Sequence, residues 1–284
     1  MAAGELLNTT EMQEIILSAG RTRKNYWYDL WRFRELFYFL AWRDILLRYK
    51  QTVLGVAWAV VRPLLTMLIF TVIFNRIAKL QSDGAIPYAL LVMAGMVPWQ
   101  FVSTSASEAS TSLIMNSNLI SKIYFPRLIV PASAVITSFV DFVITLGLMG
   151  VMMGYYRFLP DWHIVLLAPF IVLAFMASFG VGLWLAALNV EYRDFRFIVP
   201  FIVQFGLYIS PVGFSSNIVP SRWRILFSLN PVVGVIDGFR WSLLRGQSAI
   251  WWPSVLMSIL VSTLLCSSGI WYFRRTEKTF ADII

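Results

Sequence analysis

Charge is scarce in this sequence: Asp, Glu, Lys and Arg make up 13% of its 284 residues, against about 25% in an ordinary soluble domain. Hydrophobic residues make up 58%, more than a soluble chain of this length can hide, because a small globule leaves much of its surface outside. The solvent for most of the chain is therefore lipid. Cysteine is limited to Cys266 and histidine to His163. One thiol excludes an intrachain disulfide, and one residue of each kind leaves no His/Cys set for a metal. No G-x-x-x-x-G-K-[ST] run occurs, so the chain has no P-loop for ATP. H-E-x-x-H and G-x-S-x-G are missing as well, which empties most of the catalytic inventory and favours a conduit over an enzyme. The N-terminal stretch carries Glu5, Glu11 and Glu14 and no apolar h-region, so no cleavable signal peptide is expected.

What is present is length and apolar character. Six stretches approach the roughly 20 apolar residues that a spanning helix needs: 53–74, 85–107, 128–154, 164–189, 197–221 and 247–273. Pro200, Pro211 and Gly213 interrupt the fifth, so its spanning part is expected to end near Ser210 and to be followed by irregular or re-entrant chain. The expectation is an all-α integral membrane protein with six transmembrane helices and both termini on one side. Loop charges choose the side: fifteen Lys and Arg fall with the termini and seven on the other face, which puts the termini in the cytoplasm. The net charge of +8 then reflects attraction to the inner leaflet and requires no nucleic acid. The chain divides into an N-terminal tail (1–25), a segment just before the first span (26–50), the membrane domain (51–273) and a C-terminal tail (274–284).

In 26–50, Trp27, Trp31, Tyr38, Trp42, Ile45 and Tyr49 fall on one side at 100° per residue, which reads as an amphipathic helix lying in the membrane interface. Glu191 and Asp194, each with an arginine two residues on, read as a solvated charge cluster. Asp141 lies inside the third span, where a carboxylate costs roughly 2.5–3.5 kcal/mol on insertion scales. It either lines a water-filled path or ties helices together through Ser, Thr or Tyr, and a lone acid, which makes no relay, favours the tie. Arg62, about ten residues into its span and followed by Pro63, either snorkels, pairs with an acid or binds a phosphorylated lipid head group. Segment 112–127 mixes Leu113, Ile114, Leu119, Ile120 and Tyr124 with few charges, a composition suited to docking in a groove. Segment 214–246 keeps Phe214, Trp223, Phe227, Phe239 and Trp241 but is too short for two full crossings. It is expected to form a pair of short outward helices that dip back into the membrane, turning at Asn230-Pro231, because a residue before proline avoids the helical region.

Several strings together resemble the transmembrane subunits of ABC-2-type polysaccharide exporters, the permeases for O-antigen, capsule and teichoic acid. They are Tyr49-Lys50-Gln51-Thr52-Val53-Leu54-Gly55-Val56-Ala57-Trp58 running to Arg62-Pro63-Leu64, Gly95-Met96-Val97-Pro98-Trp99, and Lys122-Ile123-Tyr124-Phe125-Pro126-Arg127 with Pro131. After these come Tyr192-Arg193-Asp194, Ser210-Pro211-Val212, and Asn230-Pro231 with Arg240. The resemblance implies an interface helix over 27–48 and a coupling helix over 112–127 that docks on an ATPase, with Lys122, Phe125 and Arg127 beside the apolar positions above. It implies an exit gate over 215–245 that includes Arg240, with Arg62 and Trp58 facing the substrate or its lipid head group. It further implies two permease copies with two separate ATPase subunits that bind Mg-ATP, and a glycan on undecaprenyl diphosphate as cargo at the bacterial cytoplasmic membrane. Capsule or teichoic-acid export is the alternative within the family. An integral membrane glycosyltransferase or an ion-coupled transporter using Asp141 is the alternative outside it.

Overall fold

The computed structural model describes residues 26–280 apart from 51–54, 81, 83, 85 and 249, so the N-terminal tail and Gln51-Thr52-Val53-Leu54 lie outside the described residues. Helices α1 (Tyr26–Arg32) and α2 (Arg34–Lys50) come first, and the hydrogen bond from Phe37 N to Phe33 O, 3.1 Å, carries the helical path across the break at Phe33. Helix α3 (Gly55–Phe70) continues as a π-helical stretch, Thr71–Ile77. Then follow α4 (Tyr88–Met115), α5 (Ser117–Lys122), α6 (Ile129–Tyr155), α7 (Leu167–Glu191), α8 (Phe195–Ile209), α9 (Ser221–Phe227), α10 (Pro231–Leu243) and α11 (Trp252–Thr276).

Among the described residues, five helices are long and apolar enough to cross a membrane: α3 with its π-helical end, α4, α6, α7 with the turn before it, and α11. The fifth expected span differs. α8 has 15 residues, roughly 22 Å at 1.5 Å per residue, short of a hydrocarbon core of about 30 Å. It stops where the sequence foretold, because Ser210 takes an extended conformation and the proline and glycine that follow hold the chain out of the helix. α4 instead runs past its expected end at Ser107 to Met115. Its hydroxyls explain this: Thr104 donates to Gln100 O (2.7 Å), Ser107 to Ser103 O (2.9 Å) and Ser112 to Ala109 O (2.7 Å), so polar side chains are satisfied by their own helix.

α4 and α7 form the centre, with α6, α10 and α11 around them. Their main core joins Phe101, Phe142, Phe170 and Phe239, with ring centroids 5.2 Å apart for Phe101–Phe142 and 6.0 Å for Phe142–Phe239. α7 and α11 touch backbone to backbone. A Cβ on Gly180 would stand 2.6 Å from Cys266 N, and one on Gly269 would stand 2.8 Å from Gly180 O; small residues permit this approach, as is usual where helices pack in lipid.

A second core gathers Tyr26, Leu40, Leu113, Ile120, Phe125, Ala187, Phe273 and Phe280. It brings the start of α1, the α4–α6 connection, the end of α7 and the end of α11 to one end of the bundle. There Tyr26 Oη donates to Glu277 Oε2 at 3.0 Å, the Arg274 guanidinium lies 4.5 Å over the Tyr26 ring, and Arg127 donates to the Glu277 carbonyl. The first and last described helices therefore share this basic end.

Candidate functional site

The aromatic stripe of 26–50 divides in the structure. Trp27, Trp31, Tyr38 and Trp42 point away from the body, 49–69% exposed. Ile45 and Tyr49 turn partly inward. The opposite face, with Leu40 and Ala41 buried, lies along α6. The membrane domain itself thus receives the covered face of this helix.

Where α2 ends, three charged side chains from three helices meet. Arg48 donates to Asp141 of α6 and to Glu108 of α4, and Tyr49 Oη donates to Asp141. Ser138 Oγ donates to the second oxygen of Glu108 at 2.9 Å. Asp141 joins α2 to α6 with Tyr49 as its hydroxyl partner, and an arginine counted as a loop charge is its counter-ion, while the same carboxylate also borders an open groove. Glu108 was missed because it falls one residue beyond the apolar stretch 85–107. An acid within a Ser/Thr-rich helical run was the signal that could have found it.

These groups wall a groove of about 740 Å³ lined by Arg48, Tyr49, Trp58, Arg62, Gln100, Thr104, Glu108 and Asp141, among others. Trp58, Arg62 and Asp141, singled out separately in the sequence, are brought together here. Arg48 and Glu108 also border a second cavity, about 540 Å³, that runs past Thr111 to Met115 and Asn116 at the basic end.

Within 112–127 the structure corrects the candidate docking set. Leu113, Ile120 and Phe125 are 0–5% exposed in the second core, so they anchor the segment and offer nothing to a partner. Ile114 and Leu119 pack against the same core, partly buried. Arg127 is held by the Glu277 carbonyl. Met115, Ile123 and Tyr124 are 52–81% exposed, with Lys122 exposed beside them. Burial pushes the Glu277 carboxyl up to about 6 and pushes the Tyr26 phenol up as well, because burial disfavours both anions.

The far end holds the broken turn after α8. Tyr88 Oη donates to Gly213 O at 2.6 Å. Arg240, 1% exposed, donates to Leu91 O (3.1 Å), Val212 O (2.9 Å) and Phe214 O (2.8 Å). The guanidinium supplies the donors that the interrupted backbone lacks. Gly95 makes room for it, since a Cβ there would lie 2.9 Å from Arg240 Nη2. Arg240 and Phe239, counted among gate residues, are thus fixed parts of the core, and Arg240 is not a loop charge. Asn230 caps α10 by accepting from Val232 N at 3.1 Å, and its Nδ2 donates to Ser210 Oγ at 2.9 Å. α10 therefore starts, at Pro231, beside the end of α8, and beyond its last residue Arg245 donates to Leu159 O. Phe214 and Phe227 face each other at 6.3 Å, Trp241 packs against the main core, and Trp223 is exposed.

Residues 35–244 match the family of ABC-2 type transporters. The chain is similar to the O-antigen export system permease protein RfbA of Klebsiella pneumoniae, 27% identical over 258 residues that cover 90% of this chain and 98% of the relative. The Myxococcus xanthus protein of that name is 28% identical over 259 residues, with the same coverage. The inner membrane transport permease YadH of Escherichia coli K12 is 22% identical over 196 residues, 65% of this chain and 75% of the relative.

Proposed function

Because the chain belongs to the ABC-2 type transporter family, we propose that it is the permease of an ABC exporter that moves a lipid-linked polysaccharide out across the bacterial cytoplasmic membrane. The cargo is an O-antigen-like glycan on undecaprenyl diphosphate. The observation that carries this reading is that two O-antigen export permeases match nearly end to end, across 98% of their own length. The chain is a multi-pass inner-membrane protein and works with an ATPase partner, as its family does. Two ATPase copies, holding Mg-ATP, serve two copies of this chain.

The basic end is cytoplasmic in this reading, with both termini there. Such an arrangement needs an even number of crossings: α3, α4, α6, α7 and α11 make five, and α8 with the broken turn after it makes the sixth, with α9 and α10 dipping back from outside as the exit gate. The contacts of Tyr26 with Glu277 and of Ser210 with Asn230 support it. Met115, Lys122, Ile123 and Tyr124, exposed between spans, form the ATPase contact, since large apolar side chains gathered at the exposed basic end fit a docking surface.

Deleting the gene in its own host should abolish surface glycan and leave lipid-linked polymer inside the cell. Tyr124→Asp with Ile123→Asp should restore an inserted, folded permease but no export. Surface glycan that persists in the deletion strain would overturn the reading.

A further inference from the structure

We propose that the groove between α2, α3, α4 and α6 binds an uncharged, hydroxyl-rich sugar segment, and that Glu108 and Asp141 make it refuse polyanions. This rests on the export reading and names the part of the cargo that the groove takes. Its volume, about 740 Å³, lies in the range of small-molecule sites. Its formal charges cancel, with Arg48 and Arg62 against Glu108 and Asp141, and Arg48 is already committed to both acids.

A phosphate accepts hydrogen bonds and donates none when ionised, so in this groove one phosphate could reach Arg62, but a run of them would stand against two carboxylates. A sugar hydroxyl donates as well as accepts. The groove asks for donors: Gln100 Oε1 is buried with no partner among the described residues. Thr104 and Thr66 spend their protons on carbonyls of their own helices, Gln100 O (2.7 Å) and Arg62 O (2.9 Å), which leaves hydroxyl lone pairs on the wall. Trp58 adds a half-exposed ring on which a sugar face can lie. An acyl chain would fill the space but leave Gln100 without a donor, at a cost. The second cavity, about 540 Å³, shares Arg48 and Glu108 and extends the path to the basic end, from which a polymer would enter.

The test uses the full chain in phosphatidylethanolamine–phosphatidylglycerol nanodiscs and reads saturation transfer from protein to two probes, isomaltohexaose and a glycerol-phosphate hexamer. The wild type should transfer to isomaltohexaose and not to the phosphate hexamer, and Trp58→Ala should cut the sugar signal by about five- to tenfold, the worth of a lost ring contact. Glu108→Gln with Asp141→Asn should admit the phosphate hexamer. Trp58 is exposed, so its variant folds and carries the test even where the double variant does not. No sugar transfer to the wild type, a sugar signal unchanged in Trp58→Ala, or phosphate transfer to the wild type would each overturn the proposal. Surface glycan lost on deletion but no sugar transfer would sink the groove alone, whereas glycan that survives deletion would sink the export reading itself.

Discussion

Helices α4 and α3 invert the relation between hydropathy and burial familiar from soluble proteins. α4 is the least apolar of the five long helices, yet 78% of its most apolar stretch is buried; α3 is among the more apolar, and only 11% of its stretch is buried. In lipid an apolar side chain gains nothing by leaving the solvent, so association rests on close contact and hydrogen bonds. α4 supplies both. Ser105, Ala106, Ala109 and Ser110 are 0–4% exposed, and Asn189 of α7 donates to the Ser110 carbonyl at 2.7 Å. α3 exposes Leu65, Leu68 and Ile69, and α8 buries Val199 alone. At the centre, small and polar residues let apolar side chains pack closely and tie the helices together, whereas at the periphery the apolar side chains stay uncovered.

The comparison breaks first at Arg240 if it is wrong. Arg240→Leu leaves the carbonyls of Val212 and Phe214, outside any helix, without this donor and takes a second donor from Leu91 O, at about 1–3 kcal/mol for each stranded group. The expected outcome is a loss of about 2 kcal/mol or more, seen as a large drop in folded yield and in the thermal midpoint in detergent. Arg240→Lys should recover little, because one ammonium cannot reproduce a fork aimed at Leu91, Val212 and Phe214. A variant as stable as the wild type would show that apolar packing suffices at the centre.

The next effect lies at Arg48, where α2 is fastened to α4 and α6. Arg48→Ala strands Glu108 and Asp141, which are partly buried, and should cost about 1.5–3 kcal/mol, the usual range for hydrogen bonds to charged groups. Asp141→Asn keeps the Tyr49 hydrogen bond and should leave export intact, whereas Asp141→Leu should lower folded yield. An Asn variant that inserts normally but does not export would mean that the charge acts in transport and not only in the tie.

The sequence made the helices legible because lipid demands long apolar runs, and Pro211 and Gly213 announced the end of α8 through backbone chemistry alone. Partnership was not legible. Arg48, Arg240 and Arg127 all look like loop cations in a linear count, and each proves to be committed to a tertiary partner far along the chain. Nor does apolar character separate Ile120, in the core, from Ile123, outside it, three residues away. Which face of a helix is covered depends on neighbours that periodicity does not identify.

At the basic end the clasp between α1 and the segment after α11 should give a smaller, pH-dependent effect. Burial holds the Glu277 carboxyl up at about 6, above the ordinary carboxylate range. The folded protein therefore binds more protons than the unfolded chain between about pH 4.5 and 6, and stability falls as pH rises through that window, then levels. At about 1.4 kcal/mol per pKa unit, the fall is about 2 kcal/mol. Glu277→Gln should remove it, with unfolding followed from pH 4.5 to 8 in detergent. A decline that persists in the variant would assign the titration to another group.

The smallest effect on the single protomer is expected on the uncovered side. Phe201 and Phe205 lie on α8 with ring centroids 4.1 Å apart, 59% and 48% exposed. Truncating both to Ala removes no core contact, so protomer stability should change by less than about 0.5 kcal/mol, as exposed substitutions usually do. If lipid alone covers this face, oligomeric state should stay the same as well. If the second copy seats here, the pair of substitutions should shift the monomer–dimer balance in native mass spectra while the thermal midpoint at high dilution stays put. That separation makes the test sharp: Arg240→Leu harms the protomer whatever its partners do, whereas the Phe201 and Phe205 variant is silent in the protomer and speaks only through assembly. A large loss of protomer stability from these two exposed rings would mean that apolar surface on α8 is packed within the chain, and the contrast between centre and periphery would fall with it.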